Sequence, residues 1–240
     1  MRTDPHFQPL RVAVTGGASG LGLALVRLLT GRGARVAFVA RTARRVALVA
    51  SETGTYGIVG DVARIEDVYP LALQISGNLG GLDALINNAS SLGPTPLVPL
   101  ADTEDEDFER ALQVNLLASF RLTKALYGAL SASARERRGA AVINISSDAA
   151  VNPYSGWGAY GASKAGLSHL TAIWAEEART DGVAFLSIDP GDMDTALHAL
   201  AVPDADPKTL RRPEEAAAEI VEQLIAALPS SADRLMAAGR

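Results

Sequence analysis

The sequence predicts a doubly wound α/β domain, a parallel sheet flanked by helices on both faces. Three observations carry that expectation. Short β-branched runs alternate with longer Ala- and Leu-rich segments along the chain, the rhythm of βα units. The short runs are almost continuously apolar, as strands covered on both faces must be. The first of them leads through a glycine-rich turn, Thr15-Gly16-Gly17-Ala18-Ser19-Gly20-Leu21-Gly22, into a helical pattern.

Taken in order, residues 11–15 read as the first strand and 20–31 as the helix after the turn. Strands are then expected at 35–40, 56–60, 82–87, 140–146 and 183–188, where apolar runs are bounded by Gly, Asn, Asp or Ser. Helices are expected at 43–51, 65–76, 104–131, 158–180 and 213–227. Pro213 suits the first helical position, and Glu214 and Glu215 behind it complement the helix dipole. The acidic run 102–107 reads as a loop entering a helix N-terminus, and the basic run 135–138 as a solvated helix end. A seventh strand is expected near 234–238. With 240 residues and neither internal repeat nor linker, the chain reads as one domain, 1–240.

Composition narrows the functional classes. Hydrophobic residues make up 48% and charged residues 20%, which excludes a disordered polyelectrolyte. A formal charge of −5 argues against a general nucleic-acid binder. The absence of cysteine excludes disulfides, thiolate nucleophiles and Cys-ligated zinc. Residues 1–10 are polar, without the apolar stretch of a secretory leader. No run reaches the roughly 18 apolar residues of a membrane span. A cytoplasmic protein without membrane contact is the expectation.

The chemistry is expected around Tyr160 and Lys164, four residues apart and so on one helix face. A phenol titrates near pH 10, too high for ready proton exchange at neutral pH. A neighbouring ammonium favours the phenolate, and a depressed phenol pKa is expected here. Taken alone, such a pair is a snorkelling helix surface. Two features raise it above that: Ser147 thirteen positions earlier, and the glycine turn, whose backbone can approach an anion at a helix N-terminus. Glycines at 16, 20 and 22 do not give the G-x-G-x-x-G spacing, but they do give Thr-Gly-x-x-x-Gly-x-Gly.

These motifs together make the chain similar to the short-chain dehydrogenase/reductase family, in its compact single-domain branch, over essentially its whole length. The residues carrying the resemblance are Thr15 to Gly22, Asn87-Asn88-Ala89, Asn115, Ser147, Tyr160, Lys164, Pro190-Gly191 and Thr195. The resemblance implies a Rossmann-type dinucleotide-binding core over about 11–190, a substrate loop at 191–212 and a C-terminal helix with a possible last strand at 213–240. It implies that Thr15, Gly16, Ser19, Gly20, Leu21 and Gly22 form the phosphate turn, and that Asp61 and Val62 flank the adenine. Asn87 and Ala89 would lie along the cofactor, Ile188 near the nicotinamide and Thr195 near its carboxamide, beside Pro190 and Gly191. Ser90 departs from the family pattern, which has glycine there. At the end of the second strand stands Ala40, where an NAD-preferring member would carry an acid. Arg41 follows it as a planar partner for a 2′-phosphate, with Arg44 or Arg45 able to add to the field. NADP(H) is therefore expected over NAD(H).

The implied catalytic set is Ser147 holding the substrate oxygen, Tyr160 as general acid or base, and Lys164 lowering the phenol pKa and bonding the nicotinamide ribose. Asn115 would anchor a water leading from Lys164 to solvent. The expected function is NADPH-dependent reduction of a carbonyl (ketone, diketone or similar) to an alcohol, reversible in principle. The alternative is a dinucleotide-binding regulatory protein of the same fold with little turnover. Trp157, Met193, Leu197 and Leu200 imply an apolar substrate pocket. Residues 153–157 and Asp194-Thr195 resemble family reductases of sepiapterin and aromatic 1,2-diketones. A homodimer or homotetramer acting on a small molecule is implied by resemblance alone. No metal site is expected, because His6, His169 and His198 lack ligand spacing.

Overall fold

The protein is described by a computed structural model covering residues 9–136 and 138–228. The expected strand near 234–238 lies outside the described residues. Six parallel strands, β1 (Arg11–Thr15), β2 (Arg35–Ala40), β3 (Tyr56–Val59), β4 (Ala84–Asn87), β5 (Ala140–Ile145) and β6 (Val183–Ile188), pair in the order β3-β2-β1-β4-β5-β6. Val12 lies opposite Val36 and Ala84, and Asn87 opposite Asn144. The chain builds outward from β1 in one direction, then returns to β4 and builds in the other. That reversal opens a crevice at the carboxyl ends of β1 and β4, where α/β sheets take their ligands.

Alternate residues of each strand feed two cores, because side-chain direction has period two. Val12, Val14, Ile86 and Ile143 pack under α1 (Gly20–Gly31) and α8 (Pro213–Ala227). Ala13, Leu85 and Val142 pack under α3 (Ile65–Leu79) and α5 (Ala118–Arg135). Phe38 is wholly buried against the glycine turn, and a Cβ on Gly17 would collide with it. A buried side chain of that size contributes about 2–3 kcal/mol. The small residue and the large one are therefore a matched pair.

Helix α2 (Ala43–Thr53) and the long α6 (Gly158–Glu177) agree closely with expectation. Three differences are informative. The segment expected as one helix at 104–131 is α4 (Asp105–Leu112), a π-helical turn (Gln113–Leu117) and then α5. Asn115 sits wholly buried in the π turn and ties it to the loop after β4, a tertiary cause that periodicity cannot display. Helix α6 gives way after Glu177 to a 3₁₀ turn (Ala178–Asp181) stopped at Gly182. The loop at 191–212 carries the short helix α7 (Ala196–Ala201), capped by Thr195, and a parallel bridge from Met193 to Arg211.

The amino ends of β1 and β4 are tied by Asp83, which is inaccessible to solvent and ion-paired with Arg11 at 2.7 Å and Arg138 at 2.9 Å. Burial alone would raise its carboxyl pKa. Hydrogen bonds from Arg138, Arg11 and Ser133 outweigh burial and lower it to about 2. The stabilisation is present above the unfolded carboxyl value near 4 and is lost as pH falls toward 2. Asp83→Asn should cost about 3 kcal/mol at pH 7 and much less at pH 2.5, read by urea unfolding at both pH values.

Candidate active site

A crevice of about 970 Å³ runs across the carboxyl edge of the sheet, from Arg41 at the end of β2 to Trp157 and Leu197 beyond β5 and β6. Its floor is the turn between β1 and α1. Gly16 and Gly20 adopt φ of 69° and 50°, a region L side chains rarely occupy. A Cβ on Gly20 would stand 3.4 Å from the Thr195 methyl group, inside the crevice. Ser19 caps α1 in extended geometry, and its side chain makes no cap hydrogen bond. The first N–H groups of α1 and the positive end of its dipole therefore face an open cradle. This is a fit for a diphosphate.

The wall after β4 is held by hydrogen bonds rather than by apolar packing. Thr15 Oγ1 accepts the N–H groups of Asn88 at 2.9 Å and Ala89 at 3.0 Å, and Asn88 Nδ2 donates to the Thr15 carbonyl at 2.9 Å. A Cβ on Gly22 would collide with the Gly16 carbonyl, so this glycine serves the packing of the turn. Asn87 points inward: its Nδ2 donates to Asn144 Oδ1 at 2.8 Å and Thr123 Oγ1 at 3.1 Å. Asn115 Oδ1 accepts from Ser91 N at 2.8 Å and Ser90 Oγ at 3.2 Å, while its Nδ2 donates to the Ser91 carbonyl and to Ser163 Oγ, both at 2.8 Å. Thr15, Gly22, Asn87 and Asn115 thus stand behind the wall and shape it. Gly16, Ser19, Gly20, Leu21, Arg41, Asp61, Val62, Ala89, Pro190, Gly191 and Thr195 line the crevice itself.

Ser147, Tyr160 and Lys164 also line it, converging from the end of β5 and the first turns of α6. Ser146 turns away to bond Ser168 at 2.7 Å, so the adjacent serines are not interchangeable. Tyr160 is 8% exposed, and Lys164 Nζ lies 5.5 Å from its ring centre. Lys164 is 2% exposed and donates to the Ile145 carbonyl at 2.7 Å. Burial lowers its pKa to about 8, against a smaller opposing pull from Asp189.

The expected depression of the phenol pKa is not what this environment produces. Burial is the largest influence and pushes the Tyr160 phenol up. The Ser147 and Ser90 hydroxyls act in the opposite direction, and the Asp189 and Asp148 carboxylates add to the rise. Desolvating a phenolate outweighs what nearby hydroxyls return. Two contributors to this centre escaped the sequence reading. Asp148 Oδ1 accepts from Ser147 Oγ at 3.2 Å and its Oδ2 accepts from Tyr154 OH at 2.6 Å. Ser90, visible in the sequence only as a departure from glycine, places its hydroxyl at the same centre. A run of Asp and Ser after a strand reads as an ordinary turn, so neither role had a signal in the sequence.

A phenol kept protonated by burial, beside a hydroxyl and a buried amine, can give a proton to an oxygen placed between phenol and serine. Among the described residues no cluster of His, Asp or Glu could hold a metal ion, and no helix is long and apolar enough to cross a membrane.

Comparison with known proteins gives one consistent result. The sequence model of the short chain dehydrogenase family matches residues 11–206. The chain spans between 35% and 89% of the length of the curated relatives it matches. It is 30% identical to a benzil reductase ((S)-benzoin forming) of Saccharomyces cerevisiae, over 84% of this chain and 80% of the relative. A short chain dehydrogenase of Escherichia coli CFT073, solved complexed with NADPH, superposes with a TM-score of 0.80 at 26% identity, covering 94% of this chain and 93% of that one. A 3-ketoacyl-(acyl-carrier-protein) reductase of Brucella melitensis, solved complexed with NADH, shares the fold with a TM-score of 0.83 at 22% identity, over 92% of this chain and 91% of that one.

Proposed function

The chain belongs to the short-chain dehydrogenase family, and on that basis we propose that it reduces a ketone or diketone to an alcohol with NADPH. The observation that carries the proposal is the convergence of Ser147, Tyr160 and Lys164 on one crevice that also holds the glycine turn and Arg41. Asp61 and Val62 would hold the adenosine end, residues 16 and 18–21 the diphosphate, and Ala89, Pro190, Gly191 and Thr195 the nicotinamide end, all of which line the crevice. When bound, the dinucleotide supplies a hydride to the carbonyl carbon. The rest is proton control by this chain. Ser147 Oγ turns its single proton from Asp148 to the substrate oxygen and donates a hydrogen bond there, and Tyr160 gives that oxygen its proton. Lys164, held by the Ile145 carbonyl, presents positive charge under the phenol and a donor for the ribose. Asn115 acts through position, because its amide sets the Ser90–Ser91 loop. Asn87, engaged inside the core, supports the crevice wall from behind.

The preference for NADPH rests on Arg41 and Arg45, both exposed and both lining the crevice, with Ala40 rather than an acid before Arg41. A guanidinium–phosphate contact contributes about 1.5–3 kcal/mol. Arg41→Ala should therefore raise KM for NADPH roughly tenfold or more while moving KM for NADH less than about twofold. Equal shifts for the two cofactors would remove Arg41 from the phosphate.

The test of the activity itself is NADPH oxidation, followed by absorbance, across aliphatic ketones, aryl ketones and diketones. Tight NADPH binding with no turnover on any of them would favour a regulatory dinucleotide-binding role.

A further inference from the structure

Beyond the nicotinamide end the crevice has a largely apolar wall, and its charged side chains are carboxylates, one of which, Asp192, lies 3.8 Å from His198 Nε2. Leu92, Tyr154, Trp157, Leu197 and Leu200 form its sides. The aromatic rings run in sequence to the reacting phenol: Tyr154 to Trp157 at 6.4 Å, then Trp157 to Tyr160 at 5.6 Å, both edge-on. A group attached to a carbonyl between Ser147 and Tyr160 therefore meets the Trp157 ring first. Asp148 stands on the same side, with one carboxylate oxygen accepting from Ser147 and the other from Tyr154. Asp189 and Asp192 line the crevice as well. The facing cation, Lys164, is buried and already bonded to a main-chain carbonyl. Arg41 and Arg45 lie at the far end, after β2. Arg110, on α4, stands one turn before Val114, which shares a small void with Val62 at the adenosine end.

Resting on the carbonyl-reductase reading above, we infer that the substrate is a ketone bearing an uncharged aryl or comparably bulky apolar group beside the reacting carbonyl, and that Asp148 makes the site reject a carboxylate at that position. The aromatic wall rewards a flat apolar substituent with edge and face contacts. An α-keto acid would instead set its carboxylate against that of the half-buried Asp148, and like charges repel. Tyr154 OH holds the Asp148 carboxylate at 2.6 Å, so it cannot swing clear without breaking that hydrogen bond. Asp148 on this reading determines specificity and takes no part in the proton transfer.

The experiment compares two probes that share one aryl ketone and differ in a single charge, methyl phenylglyoxylate and phenylglyoxylate, on the full-length protein with NADPH. Wild type should reduce the ester with a kcat/KM at least a hundredfold above that of the acid. Asp148→Asn removes the charge and keeps one acceptor oxygen; its amide nitrogen replaces the other and can donate to the Ser147 or Tyr154 oxygen. It should narrow that ratio tenfold or more, whatever it does to either rate alone. Comparable rates on both probes in wild type would overturn the inference, as would a ratio unmoved by Asp148→Asn. Reduction of aliphatic ketones without reduction of the aryl ester would overturn the apolar-wall assignment while leaving the reductase reading intact. Failure of every carbonyl in the panel would instead bring down the reductase reading itself.

Discussion

Tyr160→Phe is expected to lower the single-turnover rate of carbonyl reduction by a factor of about 10²–10⁴, the range for losing one positioned proton donor. The ring stays, so its packing against Trp157 and the stability of the fold should be almost unchanged. NADPH affinity, read by fluorescence titration, should move by less than about tenfold. The loss would then fall on the chemical step rather than on binding. A variant that keeps most of its rate would leave the proton source elsewhere and sink the mechanism. The wild-type pH dependence has a definite sign. Burial raises the phenol above its ordinary value, so the proton-donating form persists through neutral pH and reduction should be flat there. Alcohol oxidation needs the phenolate and should accelerate as pH rises, until Lys164 begins to lose its charge near pH 8. An oxidation rate independent of pH between about 6 and 7.5 would contradict this protonation state.

Lys164→Met should have the second large effect, and it should act on activity and stability in opposite directions. Removing the ammonium takes away the positive charge under the phenol and the donor proposed above for the ribose, so kcat/KM is expected to fall by about a thousandfold or more. The same ammonium is a burden on the ligand-free fold. Its pKa is lowered to about 8, from about 10.4 in the unfolded chain. A shift of that size corresponds to about 3 kcal/mol of destabilisation in the charged form. Because this is a base whose folded pKa is depressed, the destabilisation is complete below pH 8 and fades as pH rises toward 10.4. Part of the gain on substitution is offset by the Ile145 carbonyl, which loses its donor. Lys164→Met should thus be more stable than wild type by about 1–2 kcal/mol at pH 7, with the advantage shrinking by pH 10. Urea unfolding of the ligand-free proteins at both pH values reads this. An advantage that does not shrink with pH would show that the ammonium is not what burdens the fold.

The two expectations together say where the protein concentrates its unfavourable energy. A fully buried amine and a mostly buried phenol are costly residues for a core. They persist at the crevice, while the charge that helps folding, Asp83 between its two arginines, sits at the opposite edge of the sheet. Like-signed carboxylates near the phenol add to the tension at the site: Asp148 and Asp189 both raise its pKa. Burial and neighbouring charge acting on the same few groups in a crevice is a pattern that recurs at functional sites.

Much of this was legible in the chain before any coordinates. The boundaries of β1, β2, β6, α1 and α8 coincide with those read from apolar runs, glycines and Pro213. These signals are local: a buried parallel strand needs a continuous apolar run, and a helix stop needs a particular residue at its end. Short-range order also placed Ser147, Tyr160 and Lys164 at the end of a strand and on one face of a helix. Elements whose cause lies elsewhere in the fold were less visible. The π turn around Asn115 exists because an amide bonds both main-chain groups of Ser91, 24 residues away. Helix α7 depends on a Thr195 cap inside a loop of mixed composition.

What the sequence determined alone was the order of the elements, the family and the candidate reacting groups, since each is encoded by neighbours along the chain or by motifs in fixed order. What only the tertiary structure decided was the electrical state of those groups and which of them face the crevice. Tyr160 is raised rather than lowered because burial exceeds every nearby hydrogen bond. Asn87 and Asn115 stand behind the wall because their amides are bonded within the core and to the loop after β4. Desolvation and the direction of a side chain depend on everything packed around a residue, and a linear chain does not carry that information at any one position.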